Sequence, residues 1–435
     1  MAENQRSEVC KEATTMIAPT VSDIPLLSAA GVDGSLMRRT FLKRMMAFAG
    51  SAVVAKAYGT ENKPMSNAHS GGSGRKASNA KSYYAYVGCR TTRERNARGE
   101  GINVYRMDAS SGRWIHVQLR RGLVNPSFLA FDRSERFLYT VHGDSSEISA
   151  FQINDRTGEL SFINRQSTHG KNPVHLSFDP TNRFVVVANH LTSSVAVLSV
   201  NQNDGSIGEV VDLVTLQGRI GPHRVEQPFA KPHQVEFDPS GKFIAVPDKG
   251  LDRVFSFLLD ATGKLIALDP PSVAARETSG PRHIAFHPTR PNAYVINELD
   301  STVTNYQYDT GGRLAPFQIV SSLPDTYTGN SRASEIAVST DGRFVYGSNR
   351  GHDSLVLFSV DQNTGRLTQV EWVPSQGKTP RFFALDPTGA YLYAANEDSD
   401  TIVKFTVDAR TGKLSPTDDI VKTGSPVCIL FREAP

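Results

Sequence analysis

The 435-residue chain has few cysteines, no long apolar run and no clear excess of one charge, and each absence excludes a class of protein. Three cysteines are too few for a disulfide framework or for a zinc site with four thiolate ligands. No apolar run reaches about 18 residues, the length that indicates a membrane-spanning helix. The 47 basic residues nearly balance the 44 acidic ones, whereas a nucleic-acid-binding protein that works by charge shows a clustered basic excess.

What remains is an ordinary globular composition, with 39% apolar, 21% charged and 9% aromatic residues. Such a composition excludes collagen, coiled coil and wholesale disorder. The 34 glycines and 24 prolines are scattered along the chain, as in a β protein that is rich in turns.

A twin-arginine export signal is predicted near the N-terminus. The string RRTFLK begins at Arg38 and is followed by a short apolar run, Met45 to Val54, and then by Ala55-Lys56-Ala57. Twin arginines, a weakly apolar stretch and an A-x-A site resemble the twin-arginine signal. We therefore expect residues 1–57 to be a leader that the twin-arginine export machinery recognises. The mature protein is then expected in the periplasm or outside the cell, without membrane contact after cleavage.

The rest of the chain divides into a linker and one repetitive domain. Residues 58–80 are rich in Gly, Ser, Asn and Lys and have no apolar period, which is typical of a flexible linker. Within residues 81–435 one pattern recurs, from an x-Pro start through an Asp-Pro-like turn to a D-x-x-T-G turn. The six copies are marked by Asp132, Asp179, Asp238, His287, Ser339 and Asp386, at spacings of 47, 59, 49, 52 and 47 residues. The longest spacing reflects an insertion near Gln217–Lys231.

Four short strands in each unit of about fifty residues predict a β-propeller blade. The C-terminal string SPVCILF matches the first strand of a unit, and the N-terminal strings YYAYVGC, INVYRMD and WIHVQLRR match strands two to four. The expected fold is therefore all-β, a seven-bladed propeller with four antiparallel strands per blade. One C-terminal strand joins three N-terminal strands, and this closure removes exposed sheet edges. A β-helix is the alternative fold, although its repeats are shorter.

Two cysteines bear on the closure of the ring. Cys428 lies near the start of the last inner strand, and Cys89 lies at the end of the strand predicted to pair with it. Both should sit at the same end of the composite blade, where they could form a disulfide in an oxidising compartment. Two buried free thiols are the alternative, because a disulfide between adjacent strands has demanding geometry.

Titratable residues recur at one rim of the predicted channel. The inner strands line the channel, and their starts open on the same face as the loops after the second strands, because adjacent strands are antiparallel. His, Glu and Arg that converge in a concavity are the default hypothesis for a functional site. The strand starts carry His175, His233, Arg282, His283, Glu335, Arg381 and Cys428, and the loop positions include His142, His190, Lys249, Glu298, Arg350 and Glu397.

The strings KPHQVEFDPSGKF, SGPRHIAFHP, YVINELDSTV and YGSNRGHDSL carry a family resemblance. From about Tyr83 to Phe431 the chain resembles the seven-bladed lactonase family, which includes propeller-type bacterial 6-phosphogluconolactonases and fungal carboxy-muconate lactonising enzymes. The resemblance implies a site built from the His of P-H, the Arg of G-P-R-H, the Glu of N-E-L and the Arg of S-N-R. In this sequence they are His233, Arg282, Glu298 and Arg350, on the rim that the comparison of blades selects.

These four residues suit the opening of a lactone, which is a cyclic ester. A His or a Glu can take the proton of the attacking water, and Arg can hold the carbonyl oxyanion or a substrate carboxylate. We expect His233 or Glu298 to act as base and acid, Arg282 and Arg350 to act as anion clamps, and no metal or other cofactor to be required. The further residues expected to bind the substrate are His175, His190, Arg224, Lys249, His283, Glu335 and Arg381.

Two features leave alternatives open. Gln234 stands where the family usually has a second His, so the sequence does not decide which residue is the base. The export signal favours an unphosphorylated aldonolactone, although Arg224 and Lys249 are candidates for binding a phosphate. A non-catalytic propeller that binds a ligand or a protein, or a muconate-type lactonising isomerase with the same site, are the alternative functions.

Overall fold

The computed structural model describes residues 81–435, so the predicted leader (1–57) and linker (58–80) lie outside the described residues. Residues 81–435 form seven antiparallel sheets of four strands each, and these sheets are the blades of a propeller. Blade 7 joins the C-terminal strand β28 (Pro426–Glu433) to β1 (Ser82–Cys89), β2 (Gly101–Asp108) and β3 (Trp114–Arg121). The predicted fold, its strand count and its closure are confirmed.

The other six blades follow in chain order, each from its inner to its outer strand. Blade 1 contains β4 (Pro126–Phe131), β5 (Phe137–His142), β6 (Glu147–Ile153) and β7 (Leu160–Ser167), and blade 2 contains β8 (Pro173–Phe178), β9 (Phe184–Asn189), β10 (Ser194–Val200) and β11 (Ile207–Thr215). Blade 3 contains β12 (Glu236–Phe237), β13 (Phe243–Asp248), β14 (Arg253–Leu259) and β15 (Leu265–Ala274), and blade 4 contains β16 (Pro281–Phe286), β17 (Asn292–Asn297), β18 (Thr302–Tyr308) and β19 (Leu314–Ser321). Blade 5 contains β20 (Arg332–Val338), β21 (Phe344–Arg350), β22 (Ser354–Val360) and β23 (Leu367–Pro374), and blade 6 contains β24 (Pro380–Leu385), β25 (Tyr391–Asn396), β26 (Thr401–Val407) and β27 (Leu414–Lys422). Two 3-10 turns, Arg93–Arg95 and Glu397–Ser399, lie in loops.

The Asp-Pro-like turns join the first two strands of a blade by side-chain capping. Asp132 Oδ1 accepts a hydrogen bond of 2.9 Å from the backbone N–H of Phe137, and Asp179 Oδ1 accepts one of 2.7 Å from Phe184. An Asp side chain that binds the backbone a few residues on favours a tight turn. His287 replaces the Asp in blade 4, and its Nδ1 accepts a 3.2 Å hydrogen bond from Thr289 N, so it caps the turn in the same way.

T-G turns between the third and fourth strands form hydrogen bonds to the neighbouring blade. Gly158 has a φ of 75°, a conformation that glycine adopts without steric cost. A Cβ at Gly158 would also lie 2.4 Å from the Tyr84 ring of the adjacent blade. The Tyr86 hydroxyl donates a 2.9 Å hydrogen bond to the Gly158 carbonyl, and Tyr346 makes the same contact, at 2.8 Å, with Gly412. The repeated T-G motif therefore locks neighbouring blades together.

The core consists of apolar layers between adjacent blades. In the layer between blades 7 and 1, Tyr86, Val104, Leu138 and Phe151 are fully buried. Burial of this apolar area is the main driving force for closing the ring. Among residues 81–435, no helix is long and apolar enough to cross a membrane.

Of the two alternatives for Cys89 and Cys428, the structure shows the second, because both thiols are free and buried. The register of β1 and β28 pairs Gly88 with Cys428 and Cys89 with Pro426, with a shift between the two pairs. Side chains alternate between the two faces of a strand, so the two thiols enter different apolar layers. Cys428 packs in the layer next to blade 1, and Cys89 packs in the layer next to blade 6.

Candidate active site

The inner strands break their regular register near their starts. In blade 4, Pro281 pairs with Asn297 and His283 pairs with Ile296, so Arg282 is the extra residue of a β-bulge. A bulge bends the strand and re-aims a side chain, and bulges are common beside active sites. The equivalent residues of the seven blades are called here the bulge ring: Ser127, Val174, His233, Arg282, Ser334, Arg381 and Val427.

A second set of positions follows the second strand of each blade. The residue paired with the first inner-strand position is followed at once by a loop residue, such as Glu298 after Asn297. These equivalent residues are called here the loop ring: Arg90, Gly143, His190, Lys249, Glu298, Arg350 and Glu397. Because adjacent strands are antiparallel, the bulge ring and the loop ring lie at the same end of the blades.

Residues of both rings converge on one cavity. Of the predicted site residues, the cavity brings together His233, Arg282, His283, Glu335 and Arg381. Its other lining residues are Arg90, Ser127, Phe128, Val174, Phe382 and Val427. The cavity therefore combines apolar walls with a few convergent polar groups, which is the usual character of a small-molecule site.

Glu298 is the centre of a cluster of cations beside this cavity. Its Oε2 lies 3.3 Å from Arg282 Nε and 3.3 Å from Arg350 Nη2, and its Oε1 lies 3.2 Å from Lys249 Nζ. Burial alone would raise the pKa of Glu298, but Arg350, Lys249 and Arg282 hold that pKa well below the usual range. Glu298 is therefore ionised at neutral pH and fixes the cations around it.

Two members of this cluster were missed by the sequence analysis. Glu226 lies in the insertion, and its carboxylate is 3.1 Å from Lys249 Nζ and 2.8 Å from Arg332 Nη2. Arg332 Nη1 also lies 3.6 Å from Glu298. The insertion has no counterpart in the other repeats, so its register gave no signal for Glu226. Arg332 lies at the first position of β20 and pairs with Arg350. This position in the repeat could have identified Arg332 from the sequence.

His283 and Glu335 form a second buried pair on blades 4 and 5. His283 Nδ1 lies 3.0 Å from Glu335 Oε1 and 3.1 Å from Oε2, while His283 Nε2 has no hydrogen-bond partner in the described residues. Burial raises the pKa of Glu335 to about 7, although Arg282 acts against this shift. Burial, together with Arg282, lowers the pKa of His283 well below its usual value. His283 is therefore neutral, and an ionised Glu335 fixes the proton on Nδ1 and leaves a lone pair on Nε2.

His233 lies between two other imidazoles. Its ring centroid is 5.1 Å from that of His283 and 5.2 Å from that of His190. His233 is buried, and its Nδ1 has no hydrogen-bond partner in the described part of the chain. Burial, together with Arg282, lowers the pKa of His233 well below its usual value, so the imidazole is neutral and can accept a proton.

The remaining predicted histidines frame this group. His175 stacks on Phe128 with ring centroids 3.9 Å apart, and its ring lies 5.7 Å from that of His283. His190 Nδ1 lies 3.1 Å from the carbonyl oxygen of Pro232, and burial lowers the pKa of His190 to about 3. Burial, together with His283, also lowers the pKa of His175 well below its usual value, so both imidazoles are neutral, and they pack behind the residues that line the cavity. His142 is also buried, with its Nδ1 2.8 Å from the Val124 carbonyl oxygen.

The two candidates for binding a phosphate, Arg224 and Lys249, do not line the cavity. Lys249 is buried, and its ammonium group already contacts Glu226 and Glu298. Arg224 is exposed on the insertion and lies in no ion pair among residues 81–435. Arg90, which the sequence analysis overlooked, lines the cavity instead. It occupies the loop-ring position of the composite blade, so extending the comparison of blades to blade 7 would have found it.

The donor set gives no indication of a metal centre. Among the described residues, no group of three or more His, Cys, Asp or Glu side chains has an arrangement that could hold a metal ion. The histidine rings instead contact one another edge to face. The groups that line the cavity include neutral imidazoles and guanidinium groups.

Comparison with known proteins identifies the family to which this propeller belongs. Residues 84–431 match the family described as "Lactonase, 7-bladed beta-propeller". A 6-phosphogluconolactonase of Bacillus subtilis is 37% identical over 310 residues, which is 70% of this chain and 86% of the relative. A 6-phosphogluconolactonase of Formosa agariphila is 33% identical over 303 residues, which is 67% of this chain and 83% of the relative.

A solved structure extends the likeness. The periplasmic gluconolactonase PpgL of Pseudomonas aeruginosa has a TM-score of 0.75 and 31% sequence identity, and the match covers 81% of this chain and 100% of that one. The family match spans nearly the whole propeller, including both rings of residues described above. The chain belongs to the lactonase family of seven-bladed β-propellers.

Proposed function

We propose that the protein is an exported lactone hydrolase that opens a sugar lactone or a related cyclic ester. The observation that carries this proposal is the juxtaposition, in one cavity, of the neutral imidazole of His233 with the guanidinium group of Arg282. Ester hydrolysis requires both a proton acceptor for the attacking water and a fixed positive charge for the oxyanion. The names of the Bacillus and Pseudomonas relatives support the same reaction class.

In the proposed reaction, His233 acts as the general base. Water attacks the lactone carbonyl carbon, and one of its protons passes to the imidazole as the new C–O bond forms. The ring C–O bond then breaks, and the departing ring oxygen takes a proton back from the imidazolium. The product is an open-chain hydroxy acid. A neutral imidazole suits the first step because its lone pair is free to accept a proton.

Arg282 and Arg350 are the proposed anion clamps. Arg282 lines the cavity, and Arg350 is held beside Arg282 by the shared carboxylate of Glu298. Glu298 has a different role from the acid or base that its residue type allows, since it is ionised and bound to both arginines. In this proposal Glu298 is a positioning residue that holds the two guanidinium groups at the site.

The other residues of the site are proposed to shape the substrate pocket. His283 supplies a neutral polar wall and is oriented by Glu335, while His175 and His190 pack against His283 and His233. Lys249 acts through Glu298 and Glu226. Arg381 lines the cavity and is available to the substrate.

The test is hydrolysis of a lactone panel by the purified protein, followed by proton release against the spontaneous rate. The panel comprises δ-gluconolactone, its 6-phosphate and a muconolactone. We expect acceleration that falls at least 100-fold in both His233→Gln and Arg282→Gln, since one oxyanion donor alone is worth about 100-fold to 1000-fold. His116→Gln is the matched control, because His116 is exposed on the outer strand β3 and should leave the rate unchanged.

A folded protein that accelerates none of these reactions would refute lactone hydrolysis and would favour a ligand- or protein-binding platform. Conversion of a muconate into its lactone, without net hydrolysis, would favour the lactonising isomerase. Folding of each variant is checked by its thermal unfolding transition, so that loss of activity is not mistaken for loss of structure.

Export is the second part of the proposal, and it rests on the RRTFLK string and the A-x-A site. The name of the periplasmic Pseudomonas relative is consistent with it. The test is the distribution of the protein between cytoplasmic and periplasmic fractions for the natural chain and for a double variant, Arg38→Lys with Arg39→Lys. Equal periplasmic amounts for both chains would show that these arginines do not direct export.

A further inference from the structure

Arg90 is a buried cation without a hydrogen-bonded partner. Its exposed fraction is 3%, and its Nε and Nη1 atoms have no hydrogen-bond partner in the described residues. The nearest carboxylates are Asp144, 4.0 Å from Nη1, and Glu397, 3.9 Å from Nε. These distances are long for an ion pair, and buried donors of this kind are normally satisfied. The guanidinium group is therefore free to bind something else.

The neighbouring carboxylate of Asp144 is already engaged by other groups. Arg95 Nε donates a 2.7 Å hydrogen bond to Asp144 Oδ2, and the same oxygen accepts one of 2.9 Å from Asn125 Nδ2. Arg95 therefore neutralises most of the charge of Asp144. Arg90 keeps its own positive charge, because its pKa, which burial and Arg381 lower, is still about 9.

The backbone leaves room for the Arg90 side chain. Blade 1 has Gly143 at its loop-ring position, where the other blades carry a side chain. A Cβ at Gly143 would lie 2.4 Å from Arg90 Nη1, closer than two heavy atoms can approach. The guanidinium group thus occupies the space that a side chain on blade 1 would fill. Gly143 is required here for a close approach and not for an unusual backbone angle.

Arg381 lies beside Arg90, and its positive charge is also incompletely neutralised. Arg381 Nη1 lies 3.8 Å from Glu397, so Arg90 and Arg381 share one carboxylate. Both arginines line the same cavity as His233 and Arg282. Glu298 and Glu226 also contact more cations than they can balance, namely Arg282, Arg350, Lys249 and Arg332, but of these four only Arg282 lines the cavity. The two guanidinium groups on the blade 6 to blade 7 side of the cavity therefore carry more positive charge than their shared carboxylate, Glu397, can balance.

We propose that Arg90 and Arg381 form an anion subsite for a negatively charged substituent of the lactone, a phosphate monoester or a carboxylate remote from the reacting carbonyl. This inference rests on the proposed function and narrows its substrate to an anionic lactone. A guanidinium group presents two parallel N–H donors that match a phosphate or a carboxylate. Arg90 and Arg381 line the same cavity as the proposed base, His233, and the proposed clamp, Arg282.

The preference for a charged ring is the first test. Three rings that differ only at carbon 6 are compared: δ-gluconolactone is neutral there, its 6-phosphate carries a phosphate, and glucaro-δ-lactone carries a carboxylate. For the natural protein we expect kcat/KM to be at least tenfold higher for one of the charged rings than for the neutral ring. Arg90→Gln should reduce this ratio at least tenfold, mainly through KM. The ring that shows the larger ratio identifies the phosphate or the carboxylate as the substituent.

Two further variants test whether the effect depends on the position of the Arg90 side chain. Arg93→Gln removes the same charge from the same loop, but Arg93 is exposed, so the ratio should change less than twofold. Gly143→Ala retains every charge and forces the Arg90 side chain to move, so it should reproduce the loss seen in Arg90→Gln. A ratio near one in the natural protein, or a ratio that neither Arg90→Gln nor Gly143→Ala changes, would overturn the proposal.

Direct binding separates this inference from the proposed function. The probe is 6-phosphogluconate, titrated calorimetrically into the full chain and into Arg90→Gln. At least tenfold weaker binding to the variant, in a protein that opens no lactone, would refute the hydrolase and retain the anion subsite. Lactone hydrolysis together with equal binding by both proteins would retain the hydrolase and refute the subsite.

Discussion

Glu298 and Glu335 are two buried glutamates in neighbouring blades of one channel, and they face opposite electrostatic surroundings. Glu298 is contacted by Arg282, Arg350 and Lys249, each within 3.3 Å. Glu335 is contacted by the imidazole of His283, and no Lys or Arg lies within 4.0 Å of its carboxylate in the described chain. The same side chain at a similar depth is therefore a permanent anion in one place and a titrating group in the other.

The difference shows that the neighbouring side chains give the two glutamates different roles in the site. Burial disfavours the charge of both carboxylates, but contact with several cations outweighs burial at Glu298. At Glu335 burial prevails and raises its pKa to about 7. Glu298 is suited to holding guanidinium groups in place, whereas Glu335 is suited to exchanging or sharing a proton with His283 near neutral pH.

The largest effect is expected from Glu298→Gln. The substitution leaves three buried cations without their shared counter-charge, and breaking a buried pair in this way costs about 3–5 kcal/mol of the free energy of unfolding. Urea unfolding of the natural chain and of the variant measures this loss. A loss below about 1 kcal/mol would show that the cations do not depend on Glu298.

Glu335→Gln should change how stability depends on pH. Because the folded-state pKa of Glu335, about 7, lies above its ordinary value of 4.5, the folded protein binds the proton more tightly than the unfolded chain does. The free energy of unfolding attributable to Glu335 is therefore highest below pH 4.5. It falls as the pH rises to about 7, by at most about 1.4 kcal/mol per pH unit. The measurement is the difference in unfolding free energy between the natural chain and the variant at several pH values.

Glu298 should show the opposite sign in the same measurement. Its folded-state pKa lies below its ordinary value, so its contribution is present above pH 4.5 and is lost as the pH falls toward the folded-state pKa. The natural chain minus Glu298→Gln should therefore gain stability with rising pH. Slopes of equal sign for the two glutamates would contradict the contrast between their surroundings.

The sequence predicted the fold and much of the rim because both follow from the repeat. Four strands per unit and the antiparallel pairing place strand starts and loops on one face, and this rule alone selects Arg282, Glu298 and Arg350. The same rule reaches Arg90 only when it is applied to the composite blade, whose strands come from both ends of the chain. Because the two strands of this pair lie at opposite ends of the chain, the comparison of repeats missed Arg90, which the strand register makes equivalent to Glu298.

Other features could not be predicted because they depend on local departures from the repeat. Glu226 belongs to the insertion, and nothing in the repeat indicates that this segment returns to contact Lys249. Cys428 pairs with Gly88 and not with Cys89, so the two thiols lie on opposite faces of the blade, and this one-residue difference in register could not be read from the sequence. The state of Glu335 depends on which side chains approach its carboxylate, and the sequence pattern does not contain those distances.

Glu100→Gln is expected to have the smallest effect, and it sharpens the comparison by making the same chemical change at the surface. Glu100 lies 2.7 Å from Arg121 Nη2, but the side chains are 57% and 65% exposed. Water solvates both charges, so such a pair contributes about 0–1 kcal/mol, and salt weakens it further. Urea unfolding at low and high salt should show a loss within this range that salt abolishes, whereas the loss in Glu298→Gln should persist in salt. A loss at Glu100 as large as that at Glu298 would mean that the net charge of the protein, and not the enclosure of Glu298 among fixed cations, determines the effect.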